Sequence, residues 1–274
     1  MLTGQNEFAN KVIWITGASS GLGEQLAYAF AAKGATLILS ARREHELMRI
    51  KERIKEISSH SFGVYVLPMD LSQPETIPAK FKHALDAMGS IDILVNNAGI
   101  SQRSLAVETD TSVYRTIMEV NFFGPLQLSQ LMLQQFKTQN TGLFVVISSV
   151  TGKIGLPYRS AYTAAKHAVE GYFGSLRTEI WRSGIRVLTV RPGAIKTAIA
   201  ENALTGNGSR YNQGDPIITR GQSAETSAKL ILQAISRNRS NLIIGSIKEK
   251  LLFLLIRLAP RMAFNAVKKI KLEK

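Results

Sequence analysis

Cysteine is absent from all 274 residues. That excludes disulfides, thiol nucleophiles and thiolate metal sites, and fits a reducing compartment or no need for cystine. The four histidines, His45, His60, His83 and His167, are scattered without ligand spacing, which argues against a structural zinc site. No stretch reaches about 18 apolar residues, so nothing spans a bilayer by itself. The short polar segment Met1–Asn10 does not read as a secretory leader, and a cytoplasmic protein is expected. Acidic residues are scarce: 20 Asp and Glu against 34 Lys and Arg leave a net charge of +14. A balance this basic raises nucleic acid or an anionic membrane as partners. Charged residues make up only 20% and hydrophobic ones 45%, which permits a full core and excludes global disorder.

The charge is concentrated at one end. Residues 245–274 hold eight Lys or Arg against two Glu, so they carry six of the net positive charges. Within them Leu251–Ile256 is an apolar run, and Pro260 is expected to break it and start a second helical piece. There Met262, Ala263, Ala266, Val267 and Ile270 share one stripe, with Lys268 and Lys269 off it. An apolar stripe beside a basic face suggests an interfacial helix on anionic lipid, giving peripheral membrane association through the C-terminus. The alternative is a helix that packs on a second subunit or covers the core. Nucleic acid is not expected, because the tail has only Phe253 and Phe264 as aromatics and no binding motif.

Upstream, seven short apolar runs alternate with helix-length segments: Val12–Ile15, Leu37–Leu39, Val64–Leu67, Ile91–Val95, Leu143–Ile147, Ile185–Val190 and Leu242–Ile244. They lack polar alternation, as expected of strands covered on both faces. Segments such as Glu24–Lys33, stopped by Gly34, and Glu44–Ser58 read as helices between them. The expected fold is α/β, a doubly wound parallel seven-stranded Rossmann-type sheet with helices on both faces, over residues 1–245. Residues 246–274 form a basic, amphipathic C-terminal helical extension. Residues 200–222 are polar, Gly-rich and strandless, and suggest a substrate lid over about 197–222.

The first run leads directly into Thr16-Gly17-Ala18-Ser19-Ser20-Gly21-Leu22-Gly23 and then a helix. Gly17 permits a tight turn, Gly21 lets backbone approach a pyrophosphate, and Gly23 allows close helix–strand packing. The helix N-terminus offers free N–H groups to the anion. Ser19, Ser20 and Leu22 belong to the same cradle. The second run ends Ser40-Ala41-Arg42-Arg43, where an NAD site usually has a carboxylate for the ribose 2′-hydroxyl. Arginines pair with a 2′-phosphate instead, so NADP(H) is the expected cofactor, with NAD(H) the alternative. Arg42 and Arg43 could otherwise simply begin a solvated helix. Asp70, followed by Leu71, could accept from an adenine amino group or cap the helix beginning near Pro74.

Tyr162 and Lys166, four apart in a helical segment, fall on one face. A phenol with pKa about 10 needs roughly 4 kcal/mol of phenolate stabilisation to act near pH 7, which a neighbouring ammonium and a cationic nicotinamide can supply. Ser148-Ser149 ends the fifth run, at the carboxyl edge where ligands bind, and a hydroxyl there can hold a substrate carbonyl. Tyr158 has no Lys four residues on, so it reads as a pocket wall contacting substrate. His167 reads as packing and Trp14 as core.

Gly17-x3-Gly21-x-Gly23, Asn96-Asn97-Ala98-Gly99, Asn121, Ser149, Tyr162, Lys166 and Pro192-Gly193 together resemble the short-chain dehydrogenase/reductase family in order and spacing, over about residues 8–245. The segments SARREHEL, VNNAGISQRSL, NFFGP, LPYRSAYTAAKHA, NALTGNGSRY and RLAPRMAF look like its member 7 and 7B group, which includes membrane-associated reductases of lipid and steroid carbonyls. The resemblance implies Tyr162 as general acid/base, Lys166 as the residue that lowers its pKa and holds the nicotinamide ribose, and Ser149 as the group orienting the substrate oxygen. It implies that Asn121 holds a water leading to Lys166, although Asn121 could be a helix-bend residue only. Asn97, Ala98 and Gly99 would line the adenosine ribose, and Ile195 and Thr197 would meet the nicotinamide carboxamide and phosphate. A small-molecule carbonyl or alcohol would be the substrate. A homodimer or homotetramer through helices at about 110–138 and 159–183 would be the assembly. The alternatives are an NAD-linked alcohol dehydrogenase of the same family and a non-catalytic dinucleotide sensor.

Overall fold

Each of the seven apolar runs forms a strand in the computed structural model, which describes residues 7–57 and 63–268. In chain order the strands are β1 (Val12–Thr16), β2 (Thr36–Ser40), β3 (Val64–Val66), β4 (Ile93–Asn96), β5 (Gly142–Ile147), β6 (Ile185–Pro192), β7 (Ile195–Lys196), β8 (Gln222–Ser223) and β9 (Asn241–Ile244). Seven of them make one parallel sheet in the order β3-β2-β1-β4-β5-β6-β9. The chain reverses its winding between β1 and β4, which opens a crevice at the carboxyl ends of those strands.

The helices are α1 (Gly21–Ala31), α2 (Glu44–Ile57), α3 (Ile77–Met88), α4 (Thr111–Met118), α5 (Gly124–Gln139), α6 (Ser160–Glu179), α7 (Pro216–Thr219), α8 (Ala224–Ser236), α9 (Ile247–Leu258) and α10 (Pro260–Val267). Strand side chains alternate between the two faces. Ile13, Ile15, Leu37 and Leu39 pack with Leu26 and Phe30 of α1 and Ile231 of α8. Trp14, Ile38 and Phe144 pack on the other face with Phe136 of α5 and Phe173 of α6. Because both faces are covered, the strands read as unbroken apolar runs. Trp14 is fully buried, and its indole N–H donates to Ser40 Oγ at 2.9 Å.

Some boundaries differ from the sequence reading. Helix α1 begins at Gly21, so the glycine turn itself supplies the first helical turn. Ile91 is buried but precedes β4, which starts at Ile93. Ser58 of the second helical segment lies outside the described residues. The segment expected to be strandless holds Gln222 of β8, which pairs with Ile195 of β7, and contains α7.

The C-terminal extension breaks at Pro260 into α9 and α10 as expected. The stripe expected to face lipid on α10 is split: Ala263 and Val267 are buried, Met262 and Ala266 are exposed, and Ile270 lies outside the described residues. The exposed apolar stripe runs along α9 instead, through Ile247, Leu251, Leu254 and Leu258. No helix among the described residues is long and apolar enough to cross a membrane.

Candidate active site

The cleft at the switch point has a volume of about 840 Å³. Its floor is the β1–α1 turn, where Gly17 and Gly21 have φ of 65° and 59°, values that glycine adopts without a steric penalty. A side chain on Gly17 would place Cβ 2.7 Å from Ala98 Cα, and one on Gly23 would collide with the Gly17 carbonyl. Gly17, Ser19, Ser20, Gly21 and Leu22 line the cleft, while Gly23 supports it from behind. Thr16 connects the turn to β4. Its hydroxyl accepts from the N–H groups of Asn97 and Ala98 at 3.1 and 3.2 Å, and Asn97 Nδ2 donates back to the carbonyls of Thr16 and Gly17.

Arg42 and Arg43 line the cleft where β2 ends, and the residues that close the strand, Ser40 and Ala41, carry no carboxylate. Arg43 Nη2 donates to Ser19 Oγ and Ser20 Oγ at 3.1 and 3.0 Å, so one guanidinium is already seated on the cradle. Asp70 and Leu71 also line the cleft. Asp70 does not cap the turn at Pro74, whose N-cap is Gln73; its Oδ1 accepts from Ser72 N and Ser72 Oγ.

Strand β5 delivers Ser149 to the cleft and α6 delivers Tyr162 and Lys166, all three nearly fully buried. Ser149 Oγ accepts from Thr151 N–H at 3.1 Å and stands near enough to the Tyr162 hydroxyl to favour its phenolate. Lys166 Nζ lies 5.6 Å from the centre of the Tyr162 ring and donates to the Ile147 carbonyl. Burial raises the Tyr162 pKa, opposed by the Arg159 charge and the Ser149 hydroxyl. Burial lowers Lys166 to about 8, against the pull of Glu170. In the protein alone, therefore, desolvation outweighs the groups that favour phenolate, and those groups are Arg159 and Ser149 rather than Lys166.

Asn121 sits in a π-helical turn, Glu119–Phe123, between α4 and α5. Its Oδ1 accepts from Ile100 N and its Nδ2 donates to Ile100 O, at 2.8 and 2.9 Å. Both ends of the amide thus hold the loop after β4. A Cβ on Gly99 would lie 3.2 Å from Asn121 Oδ1 and 3.7 Å from Lys166 Nζ, so all three residues meet at one point. Ala98, Gly99, Ile195 and Thr197 line the cleft. Tyr158 is not among the lining residues; its neighbours Leu156 and Arg159 are, and its ring stacks under Arg103 instead.

Several residues at the site were not singled out from sequence. Asp215, 3% exposed, accepts from Arg103 at 3.0 Å and Arg159 at 2.9 Å, and so fastens the 197–222 segment over the cleft. Its place just before Pro216, where it caps α7, was a readable signal. Glu170 makes a two-point pair with Arg191 of β6, at 2.8 and 2.6 Å. Glu249 of α9 also lines the cleft.

Residues 11–207 match the family described as short chain dehydrogenase. A Dehydrogenase/reductase SDR family protein 7-like of Anopheles gambiae is 41% identical over 94% of this chain and 82% of that relative. Dehydrogenase/reductase SDR family member 7B of Xenopus laevis is 38% identical over 93% of this chain and 80% of its own. Among solved structures, an alcohol dehydrogenase from the archaeon Thermococcus sibiricus, complexed with 5-hydroxy-NADP, superposes with a TM-score of 0.74 at 26% identity, over 86% of this chain and 97% of that one.

Proposed function

The chain belongs to the short chain dehydrogenase family of oxidoreductases, and we propose that it interconverts a hydrophobic carbonyl and its alcohol with NADP(H). The observation that carries this reading is the convergence of Ser149, Tyr162 and Lys166 in the cleft that the glycine cradle opens. The cradle suits a dinucleotide, because its glycines let the turn lie close against Ala98 and the helix start, where side chains at Gly17 and Gly23 would collide with backbone and displace the turn. Arg42 and Arg43, with no carboxylate at Ser40 or Ala41 where β2 ends, favour a 2′-phosphate.

When bound, NADP(H) supplies the hydride that the protein lacks. The chain's own residues handle the proton and the oxygen. Ser149 holds the substrate oxygen beside the Tyr162 hydroxyl. Tyr162 gives that oxygen its proton in reduction and takes it back in oxidation. Lys166, held by the Ile147 carbonyl, would offer ammonium hydrogens to the nicotinamide ribose, while Arg159 supplies the positive charge that favours phenolate in the protein alone. Asn121 keeps the loop after β4 in place through its two hydrogen bonds to Ile100.

Leu156, Ile199, Leu204, Ile217 and Ile218 line the lid end of the cleft, which favours a lipid-like or steroid-like carbonyl over a small polar one. On α9, Lys248, Lys250 and Arg257 flank the exposed Ile247–Leu258 stripe, as suits peripheral binding to an anionic membrane. Exposed Phe123, between α4 and α5, and Trp181, after α6, favour subunit pairing there. A screen of hydrophobic ketones and aldehydes with NADPH, followed by loss of nicotinamide absorbance, tests the reading. Turnover of at least one class supports it; none with either NADPH or NADH removes it.

A further inference from the structure

The segment Pro192–Thr197 links the two ends of the cleft. At its start the Pro192 carbonyl lies 3.5 Å from Ser149 Oγ. At its end Thr197 abuts the cradle, where a Cβ on Gly21 would sit 3.0 Å from Thr197 Cγ2. Its midpoint, Ala194, is held from both sides. The carbonyl accepts from Gln222 N at the base of the lid, and the N–H donates to Glu249 Oε1 on α9 at 2.9 Å. The other carboxylate oxygen, Oε2, accepts from Ser246 N and Ser246 Oγ at the cap of α9.

Two glycines make room for this carboxylate. A side chain on Gly193 would collide with Glu249 Oε1, and a Cβ on Gly245 would lie 2.6 Å from Oε2. Glu249 faces inward because it stands two residues from both Ile247 and Leu251, about 200° round the helix from the exposed stripe.

We propose that Glu249 is a positioning residue: its carboxylate fixes Pro192–Thr197 between the catalytic serine and the cradle, which makes the C-terminal helix part of the cofactor site. This rests on the dinucleotide reading above. The test compares wild type, Glu249→Ala, Glu249→Gln and Ser246→Ala as full-length chains. NADPH affinity is read by fluorescence titration, and amide exchange at Ala194 is read without cofactor.

Glu249→Ala should weaken NADPH about tenfold, the scale of one charge-assisted hydrogen bond, and speed exchange at Ala194. Glu249→Gln keeps an acceptor for Ala194 and should recover most of the affinity. Ser246→Ala loosens the helix cap and removes one hydrogen bond from Oε2 but leaves Oε1 on the Ala194 N–H, so it should weaken NADPH clearly less than Glu249→Ala does. Wild-type affinity in Glu249→Ala overturns the proposal, as does an equal loss in Ser246→Ala, which would mean that the folding of α9 alone matters. A wild type that binds neither NADPH nor NADH overturns the dinucleotide reading, and the exchange at Ala194 then still decides whether Glu249 holds the segment.

Discussion

Lys166 Nζ donates to the carbonyl oxygen of Ile147 at 2.8 Å, so the ammonium hangs from the strand that also delivers Ser149. The bond fixes the amine, while burial around it lowers the pKa to about 8. Between about pH 8 and the ordinary lysine value near 10.5, the unfolded chain binds this proton better than the folded one. Stability from this residue therefore rises with pH across that window, and a penalty is present below it. Lys166→Met removes the titration. The stability difference between wild type and variant should move in favour of wild type from about pH 7 to about pH 10, by at most about 3 kcal/mol. Thermal melts at matched ionic strength check this; parallel pH curves for the two proteins would contradict it.

The two arginines after β2 should separate in their effects. Arg42 is exposed at the rim, whereas Arg43 also braces Ser19 and Ser20. Arg42→Ala should weaken NADPH by about ten- to a hundredfold while leaving NADH nearly unchanged, because only NADPH carries the 2′-phosphate. Arg43→Ala should weaken both dinucleotides. Titration of each variant with each dinucleotide gives the four affinities, and equal loss for both in Arg42→Ala would make that residue structural.

Asp215 should act as the fastener of the lid. Removing it leaves the guanidiniums of Arg103 and Arg159 facing each other without the carboxylate they share. Asp215→Ala should cost about 3–5 kcal/mol, as expected for breaking a buried charge cluster. It should also open residues 197–222 to limited proteolysis. Urea unfolding and protease mapping read the two effects. Wild-type resistance at the lid would show that the Leu204 backbone bonds to Ser101 and Arg103 hold it alone.

The sheet was legible because burial on both faces leaves an unbroken apolar run at each strand, and the site was legible where its residues are close in sequence, as Tyr162 and Lys166 are. The charged contacts around the site were not. Asp215 lies 112 residues from Arg103 and 56 from Arg159, and Glu249 lies 55 from Ala194. Nothing local marks such a pairing, because the fold alone brings the partners together. The α10 stripe was misread for a related reason: periodicity shows that a face is apolar, but not whether the rest of the protein covers it. Here α9 carries the exposed face, and only Ala263 and Val267 of α10 are covered.

The outward stripe of α9 should bind membranes without touching the cofactor. Leu254→Glu with Leu258→Glu places two acids on exposed positions. The double variant should lose most co-sedimentation with phosphatidylserine-containing vesicles and keep wild-type NADPH affinity. Wild-type binding should fall with salt, because the lysine and arginine contribution is screened. Absence of vesicle binding by the wild type, together with a monomeric double variant by size exclusion, would reassign the stripe to a subunit contact.

The most direct measurement of the account is Tyr162→Phe, which deletes one oxygen and leaves the ring packed on α6. Carbonyl turnover and NADPH affinity are measured side by side in both proteins. The account predicts turnover lower by roughly a hundredfold or more, the scale of a lost general acid, with NADPH affinity within a few-fold of wild type. Near-normal turnover in Tyr162→Phe would contradict it.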